Sequence, residues 1–188
     1  MSDQTAPHDN SADAHHRLTI AVVGLGAVGG VIAGTLAALG RHDVTVCVRT
    51  AIDRLRVERP QDVVDVPIRA ITDPAHATPV DWLLLCTKVH QTESAAPWLA
   101  RLCRPGTRVA VLQNGIAHAE RLAPLVGAAT VVPTIVYYNG ERLAADHMRL
   151  RRAGDSELAV QDDADGRAFA ALFDGSPMRV LRSAEFTT

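Results

Sequence analysis

Residues 18–30 read Leu-Thr-Ile-Ala-Val-Val-Gly-Leu-Gly-Ala-Val-Gly-Gly, and this stretch decides the fold. Residues 18–23 form a short β-branched run that ends at a glycine, the pattern of a buried strand. A helix is expected over 27–39, with Gly40 as its stop. Between them Gly24, Gly26 and Gly29 hold the G-x-G-x-x-G spacing. Glycine turns are common, so the spacing gains meaning only from the strand before it and the helix after it. Gly24 permits the tight exit from the strand, Gly26 lets the backbone approach a pyrophosphate, and Gly29 lets helix and sheet pack closely. Free N–H groups and the positive end of the helix dipole then face the phosphates. Gly24, Leu25, Gly26, Ala27, Val28 and Gly29 are therefore the expected cradle of a dinucleotide. Gly30, Ala33, Gly34 and Ala37 extend the close packing. Without a ligand, the same residues would serve as a structural strand–helix turn.

Working outward, residues 43–48 read as a second strand and 51–61 as a charged segment, irregular or partly helical. Residues 63–71 alternate as a third strand, and 80–87 form a fourth, buried around Trp82-Leu-Leu-Leu85. Helical spacing covers 90–102, a fifth strand 108–112, and a short helix 117–125. This alternation predicts βαβ units and a doubly wound, mostly parallel α/β sheet of Rossmann type. After Ala129 the rhythm shortens. Residues 130–138, 148–152 and 158–161 are strand-like, separated by the turn pairs Asn139-Gly140 and Gly154-Asp155. That pattern predicts a hairpin-rich C-terminal extension, followed by a helix over 164–173 and a last strand over 178–182.

The chain has 188 residues, which suits one domain. We expect that domain over 17–188, after a polar, disordered tail over 1–16 that lacks the apolar core of a signal peptide. Hydrophobic residues make up 47% and aromatics 4%, so the core must be built from Ala, Val, Leu and Ile. A formal net charge of −2 gives no electrostatic reason to expect nucleic acid or an anionic membrane as partner. Arg149, Arg151 and Arg152 lie in an alternating segment and read as the solvated face of a strand. No run is long enough to cross a bilayer. Cys47, Cys86 and Cys103 show no C-x-x-C spacing, and the first two sit in apolar strands, which favours a soluble protein of the reducing cytoplasm. The histidines lack metal-ligand spacing, so no metal is expected. Asp81 and Glu93 read as surface charges. There is no G-x-S-x-G, and neither Ser94 nor Ser156 has a neighbour suited to nucleophilic catalysis.

In open α/β sheets, ligands sit beyond the carboxyl ends of the strands. At the end of the second strand, an NAD-binding protein places Asp or Glu to accept bonds from the ribose 2′-OH. Here that place, about 20 residues past the glycine turn, is held by Arg49. A guanidinium offers forked, charge-assisted hydrogen bonds to a 2′-phosphate, so NADP is the favoured cofactor. Two further polar residues follow strands. Lys88, in Cys86-Thr-Lys88-Val-His-Gln91, would hold a substrate carboxylate or touch the cofactor. Asn114, in Leu112-Gln-Asn114-Gly115, would bond to ribose, nicotinamide or substrate. The plainer alternatives are a solvated lysine and an ordinary Asn-Gly turn.

Taken together, Gly24-Leu-Gly-Ala-Val-Gly-Gly30, Arg49, Thr87-Lys88-Val-His-Gln91 and Gln113-Asn114-Gly115 resemble the N-terminal domain of the ketopantoate reductases (2-dehydropantoate 2-reductases). Pro133-Thr-Ile-Val-Tyr137 and the segment up to Val160 are similar as well. The resemblance implies an NADPH-dependent reduction of a small-molecule 2-oxo acid, ketopantoate to pantoate or a related substrate, in pantothenate biosynthesis. It implies that Arg49 meets the 2′-phosphate and that Lys88 and Asn114 are catalytic residues beside cofactor and substrate. The family adds a helical second domain whose lysine donates the proton. The chain ends at Thr188, where that domain would begin, and Lys88 is its only lysine, so these parts have no counterpart in the sequence. The expectation is an oxidoreductase, incomplete in these residues. The alternative is a non-catalytic NADP(H)-binding module or sensor.

Overall fold

The computed structural model describes residues 17–151 and 154–186; the expected tail and Arg152 lie outside them. In chain order, β1 (Thr19–Val23), α1 (Ala27–Leu39) and β2 (Asp43–Cys47) open the fold. β3 (Arg54–Glu58), β4 (Val63–Pro67), β5 (Arg69–Ile71), β6 (Trp82–Leu85) and α2 (Thr92–Leu102) follow. Next come β7 (Arg108–Val111), α3 (His118–Val126), β8 (Thr130–Pro133), β9 (Ile135–Val136) and β10 (Asn139–Arg142). β11 (His147–Arg151), β12 (Leu158–Gln161), α4 (Ala164–Ala171) and β13 (Val180–Ser183) complete it.

The central sheet has six strands in the order β5-β2-β1-β6-β7-β8, and every pairing in it is parallel. Both faces are covered, as a parallel sheet requires. Along β1, Ile20 and Val22 point to a core shared with α1, while Ala21 and Val23 point to one shared with α2 and α3. Val23 pairs with Leu85, and Leu85 with Val111, so the carboxyl ends of β1, β6 and β7 stop side by side. The strand order reverses between β1 and β6, which opens the crevice where such sheets bind ligands.

Helix α1 explains the second layer. Every residue from Gly29 to Leu36 is buried, and a helix apolar all round must be covered on both sides. Its outer side meets a four-stranded sheet, β10-β11-β3-β4. Cβ atoms at Gly30 and Gly34 would collide with the side chains of Met148 and Val57. Of the small residues expected to help α1 pack, Gly30 and Gly34 do so against this second sheet. A third sheet, β13-β12-β9, lies beside α4, whose Phe169 ring stacks at a tilt on Trp82, 5.7 Å between centroids. Burying Trp82 and Phe169 at 1% and 0% exposure contributes about 1.5–3 kcal/mol each.

Several expectations need correction. The segment 51–61, read as irregular or partly helical, contains β3, whose Leu55 and Val57 are buried while Arg54 and Arg56 are exposed. Its charges alternate strictly, and that period was the signal. The single strand expected over 63–71 breaks after Pro67. Buried Ile68, held by its N–H on the Asp53 carbonyl at 2.9 Å, carries the chain from the second sheet into the central one. The strand expected over 130–138 divides at Thr134 between two sheets. Asn139-Gly140 is no turn, because it opens β10 and pairs with Leu150 and Arg151. Asp81 is more than a surface charge. Its carboxylate accepts from the Thr19 N–H and hydroxyl, both at 2.9 Å, and clips β1 to the start of β6. Arg149 and Arg151 do face outward, between buried Met148 and Leu150, where they pair with Glu58 and Glu141.

Candidate functional site

The turn between β1 and α1 is tight for identifiable reasons. Gly24 has φ +97°, and a Cβ there would lie 2.8 Å from the Thr87 nitrogen. A Cβ on Gly29 would overlap the Gly24 carbonyl and come within 2.9 Å of the Cys86 Cβ. The turn therefore rests on the backbone leaving β6. Gly26 differs, since a Cβ there would meet nothing within 4 Å. It is the N-cap of α1, with no side-chain cap and no acidic residue in the first turn. The N–H groups of that turn have no intrahelical carbonyl to reach, and those of Ala27, Val28 and Gly29 have no acceptor among the described residues.

Behind this turn stand Tyr138, which the sequence did not single out, and Gly140, read there as part of a turn. The Tyr138 hydroxyl donates to the Val28 carbonyl at 2.9 Å. A Cβ on Gly140 would sit 2.9 Å from the Ala27 backbone, so β10 is pressed against the first residue of the helix. Leu25 and Val28 pack partly into the core. Burial, then the neighbouring Cys86 and Glu157, hold the Tyr138 hydroxyl well above its ordinary range, so it stays a neutral donor. Burial likewise drives the Cys86 thiol far up, leaving it a small hydrophobe beneath Gly29.

Lys88 and Asn114 are both exposed, on the loops that leave β6 and β7. Lys88 precedes a single 3-10 turn, Val89–Gln91, and its N–H reaches the Gln91 side chain at 3.4 Å. Asn114 is followed by Gly115 at φ +123° and, before α3, by Ala117 at φ 56°, a left-handed pair that folds the loop back. Arg49 is exposed just past β2 and makes no hydrogen bond or ion pair among the described residues. The fold thus brings the glycine turn, Lys88 and Asn114 to one edge of three adjacent strands, with Arg49 on the fourth.

Next to Lys88 and Asn114 in the chain lies a polar cluster in which Gln113, Thr92 and His118 are buried and Thr87 and Arg121 half-buried. Gln113, 5% exposed, donates from Nε2 to Thr87 Oγ1 at 3.0 Å and Thr92 Oγ1 at 3.3 Å. Arg121 donates to Gln113 Oε1 at 3.0 Å, to Thr92 Oγ1 at 3.1 Å and to His118 Nδ1 at 2.8 Å. Burial, then the Arg121 charge, hold the His118 imidazole below its ordinary pKa, partly opposed by a hydrogen bond with the Gly115 backbone. Sequence reading missed Arg121. The available signal was helical position, because residues 118, 122 and 126 face the core, and 121 shares that side. Elsewhere, a cavity of about 380 Å³ bounded by Arg17, His42, Asp43 and Arg69 lies at the amino ends of β1 and β2, the opposite edge of the sheet. Among the described residues no His, Cys, Asp and Glu group of three or more could hold a metal ion. None of their helices is long and apolar enough to cross a membrane.

A central parallel sheet flanked by helices, with a glycine turn at its switch point, defines a Rossmann-type α/β domain. Residues 20–163 match the family model described as ketopantoate reductase PanE/ApbA, and the chain belongs to that family. It is 41% identical over 170 residues to the 2-dehydropantoate 2-reductase of Caulobacter vibrioides, covering 90% of this chain and 58% of that protein. The corresponding protein of Mycobacterium tuberculosis is 37% identical over 171 residues, covering 90% and 57%. Among solved structures, the PanE/ApbA family ketopantoate reductase from Ralstonia eutropha superposes with a TM-score of 0.77 at 30% identity, covering 89% of this chain and 57% of that one. The chain therefore spans somewhat under three-fifths of the length of these relatives.

Proposed function

We propose that residues 17–188 form one dinucleotide-binding unit that takes NADPH across the crevice between β1 and β6, in the reduction of a 2-oxo acid such as ketopantoate to pantoate. The observation that carries this reading is the open amino end of α1. Its amides are uncapped beside Gly26, and no carboxylate competes for them in the first turn. Gly24, Leu25, Gly26, Ala27, Val28 and Gly29 cradle the pyrophosphate there. Arg49, free of partners among the described residues, receives the 2′-phosphate at the end of β2.

When bound, the nicotinamide supplies a hydride. Negative charge then grows on the ketone oxygen, and the chain's contribution is to stabilise it and orient the reactants. Lys88 presents an ammonium at the end of β6, to the substrate carboxylate or to that oxygen. The Asn114 carboxamide orients ribose, nicotinamide or substrate at the end of β7. The three free cysteines, Cys47, Cys86 and Cys103, fit a reducing cytoplasm.

Calorimetric titration with NADPH and NADH tests the cofactor, with Arg49→Ala as control. Tighter binding of NADPH, abolished in the variant, is expected; an equal preference before and after the substitution refutes the assignment. Adding ketopantoate and following loss of reduced nicotinamide absorbance tests turnover. Binding without oxidation would support a cofactor-binding module instead.

A further inference from the structure

Lys88 and Asn114 sit on two separate loops, yet those loops are joined below the surface by a hydrogen-bond circuit that is almost completely closed. Thr92 Oγ1 accepts from Gln113 and Arg121 and donates to the Val89 carbonyl at 2.8 Å, so both lone pairs and its proton are used. Both protons of the Gln113 carboxamide are engaged, by Thr87 and Thr92, and its oxygen by Arg121. His118 accepts at Nδ1, which fixes the neutral ring with its proton on Nε2. Among the described residues no carboxylate lies within ion-pair distance of Arg121, so its charge is held by neutral acceptors alone. Thr87 also touches the glycine turn, since its Cγ2 lies 2.9 Å from where a Gly24 Cβ would be.

A largely buried polar circuit whose acceptors are all engaged specifies one arrangement more than it adds stability. We infer that Gln113, Thr92 and Arg121 are positioning residues, which lock the Lys88 loop to the Asn114 loop and to the glycine turn so that the nicotinamide half of the dinucleotide meets a preformed surface. The inference rests on the cofactor reading above. The geometry also separates the two halves of the ligand. Strand order reverses between β1 and β6, so the adenosine half would be held at β2 with Arg49 and the other half by the loops after β6 and β7. The second half would meet the Lys88 and Asn114 loops, which this circuit joins, whereas the first would meet Arg49 and the glycine turn, which Tyr138 and Gly140 hold from behind.

The test compares NADPH with adenosine 2′,5′-bisphosphate, which lacks the nicotinamide half, by calorimetry on the 188-residue chain. Arg121→Met, Gln113→Met and the near-isosteric Thr92→Val are the variants, the last chosen because it removes one hydroxyl and is the mildest test of folding. Each is expected to weaken NADPH about tenfold, about 1.4 kcal/mol, because the two loops must then be ordered on binding. Adenosine 2′,5′-bisphosphate should bind each variant within about twofold of the original chain. The Gln113→Met/Arg121→Met double variant should be no weaker than Arg121→Met, since both interrupt one circuit. NADPH affinity unchanged in Thr92→Val and Arg121→Met would overturn the inference. Equal loss of both ligands would also overturn it, by pointing to general loosening. If the original chain bound neither compound, the cofactor reading itself would fall and take this inference with it, a result distinct from the other two.

Discussion

Replacing Gly26 and Gly29 separately by alanine should split ligand binding from folding. At Gly29 a Cβ would overlap the Gly24 carbonyl and press on Cys86 from 2.9 Å, backbone on one side and a buried side chain on the other. Neither yields cheaply, so the cost lies at the upper end for overpacking, about 3 kcal/mol, and Tm should fall by roughly 6–12 °C. At Gly26 the methyl meets nothing within 4 Å, and φ −83° suits any residue. Alanine is a poorer N-cap than glycine, a loss of several tenths of a kcal/mol. Reduced freedom of the unfolded chain returns about 0.4–1 kcal/mol, so stability should change by less than about 1 kcal/mol. The same methyl projects into the space assigned to the pyrophosphate. Losing one charge-assisted hydrogen bond there, about 1.5–3 kcal/mol, weakens NADPH about 10- to 150-fold. Thermal unfolding and calorimetric titration read the two effects independently. A Gly26→Ala protein that binds NADPH normally, or one that unfolds as early as Gly29→Ala, would refute the division of roles.

Arg49→Ala should lose the preference for NADPH over NADH without shifting Tm, since Arg49 has no partner among the described residues. Tyr138→Phe should cost about 1 kcal/mol, because it removes the bond to Val28 while leaving that carbonyl its helical partner; chemical denaturation measures it. Gly140→Ala should cost more, about 1–3 kcal/mol, and weaken NADPH as well, because its Cβ meets the Ala27 backbone at the front of α1. Asp81 sets an acid limit. Burial works to raise its carboxyl, but the Thr19 N–H and hydroxyl, then Arg104, hold it below its ordinary value of 3.8. The stability it contributes is therefore full above that value and is lost as pH falls below it. Unfolding curves of Asp81→Asn should be flatter with pH in that range, and an unchanged acid slope would count against the clip.

What the sequence made legible was local. β1, the glycine turn and α1 occupy fewer than 25 consecutive residues, and α1 begins and ends where its spacing and Gly40 place it. Strand-end residues follow from the same alternation, so Arg49, Lys88 and Asn114 were readable as neighbours of one sheet edge. The misreadings concern segments whose partners are remote in the chain. β3 pairs in parallel with β11, about 90 residues on, and no local pattern announces such a partner. Asn139-Gly140 has the composition of a turn because turns need small residues. Here smallness serves a different end, contact with Ala27.

That contact bears on how the edge was assembled. On the cofactor reading proposed above, the front of α1 is left bare for phosphate: it has no side-chain cap and no acidic residue in its first turn, so its amides do not anchor the turn. Stiffness has to come from behind and from the sides. Tyr138 and Gly140 supply the rear wall, Thr87 and Cys86 the flank under Gly24 and Gly29, and Met148 and Val57 the cover over Gly30 and Gly34. Thr87 then hands the same rigidity through Gln113 to Arg121. An open helix end of this kind is held by residues up to 120 positions away in sequence. On that reading, the four-stranded sheet, which looks dispensable beside a six-stranded Rossmann core, would be part of the binding apparatus, and substitutions at Tyr138 or Gly140 should be felt at the cofactor as well as in the fold.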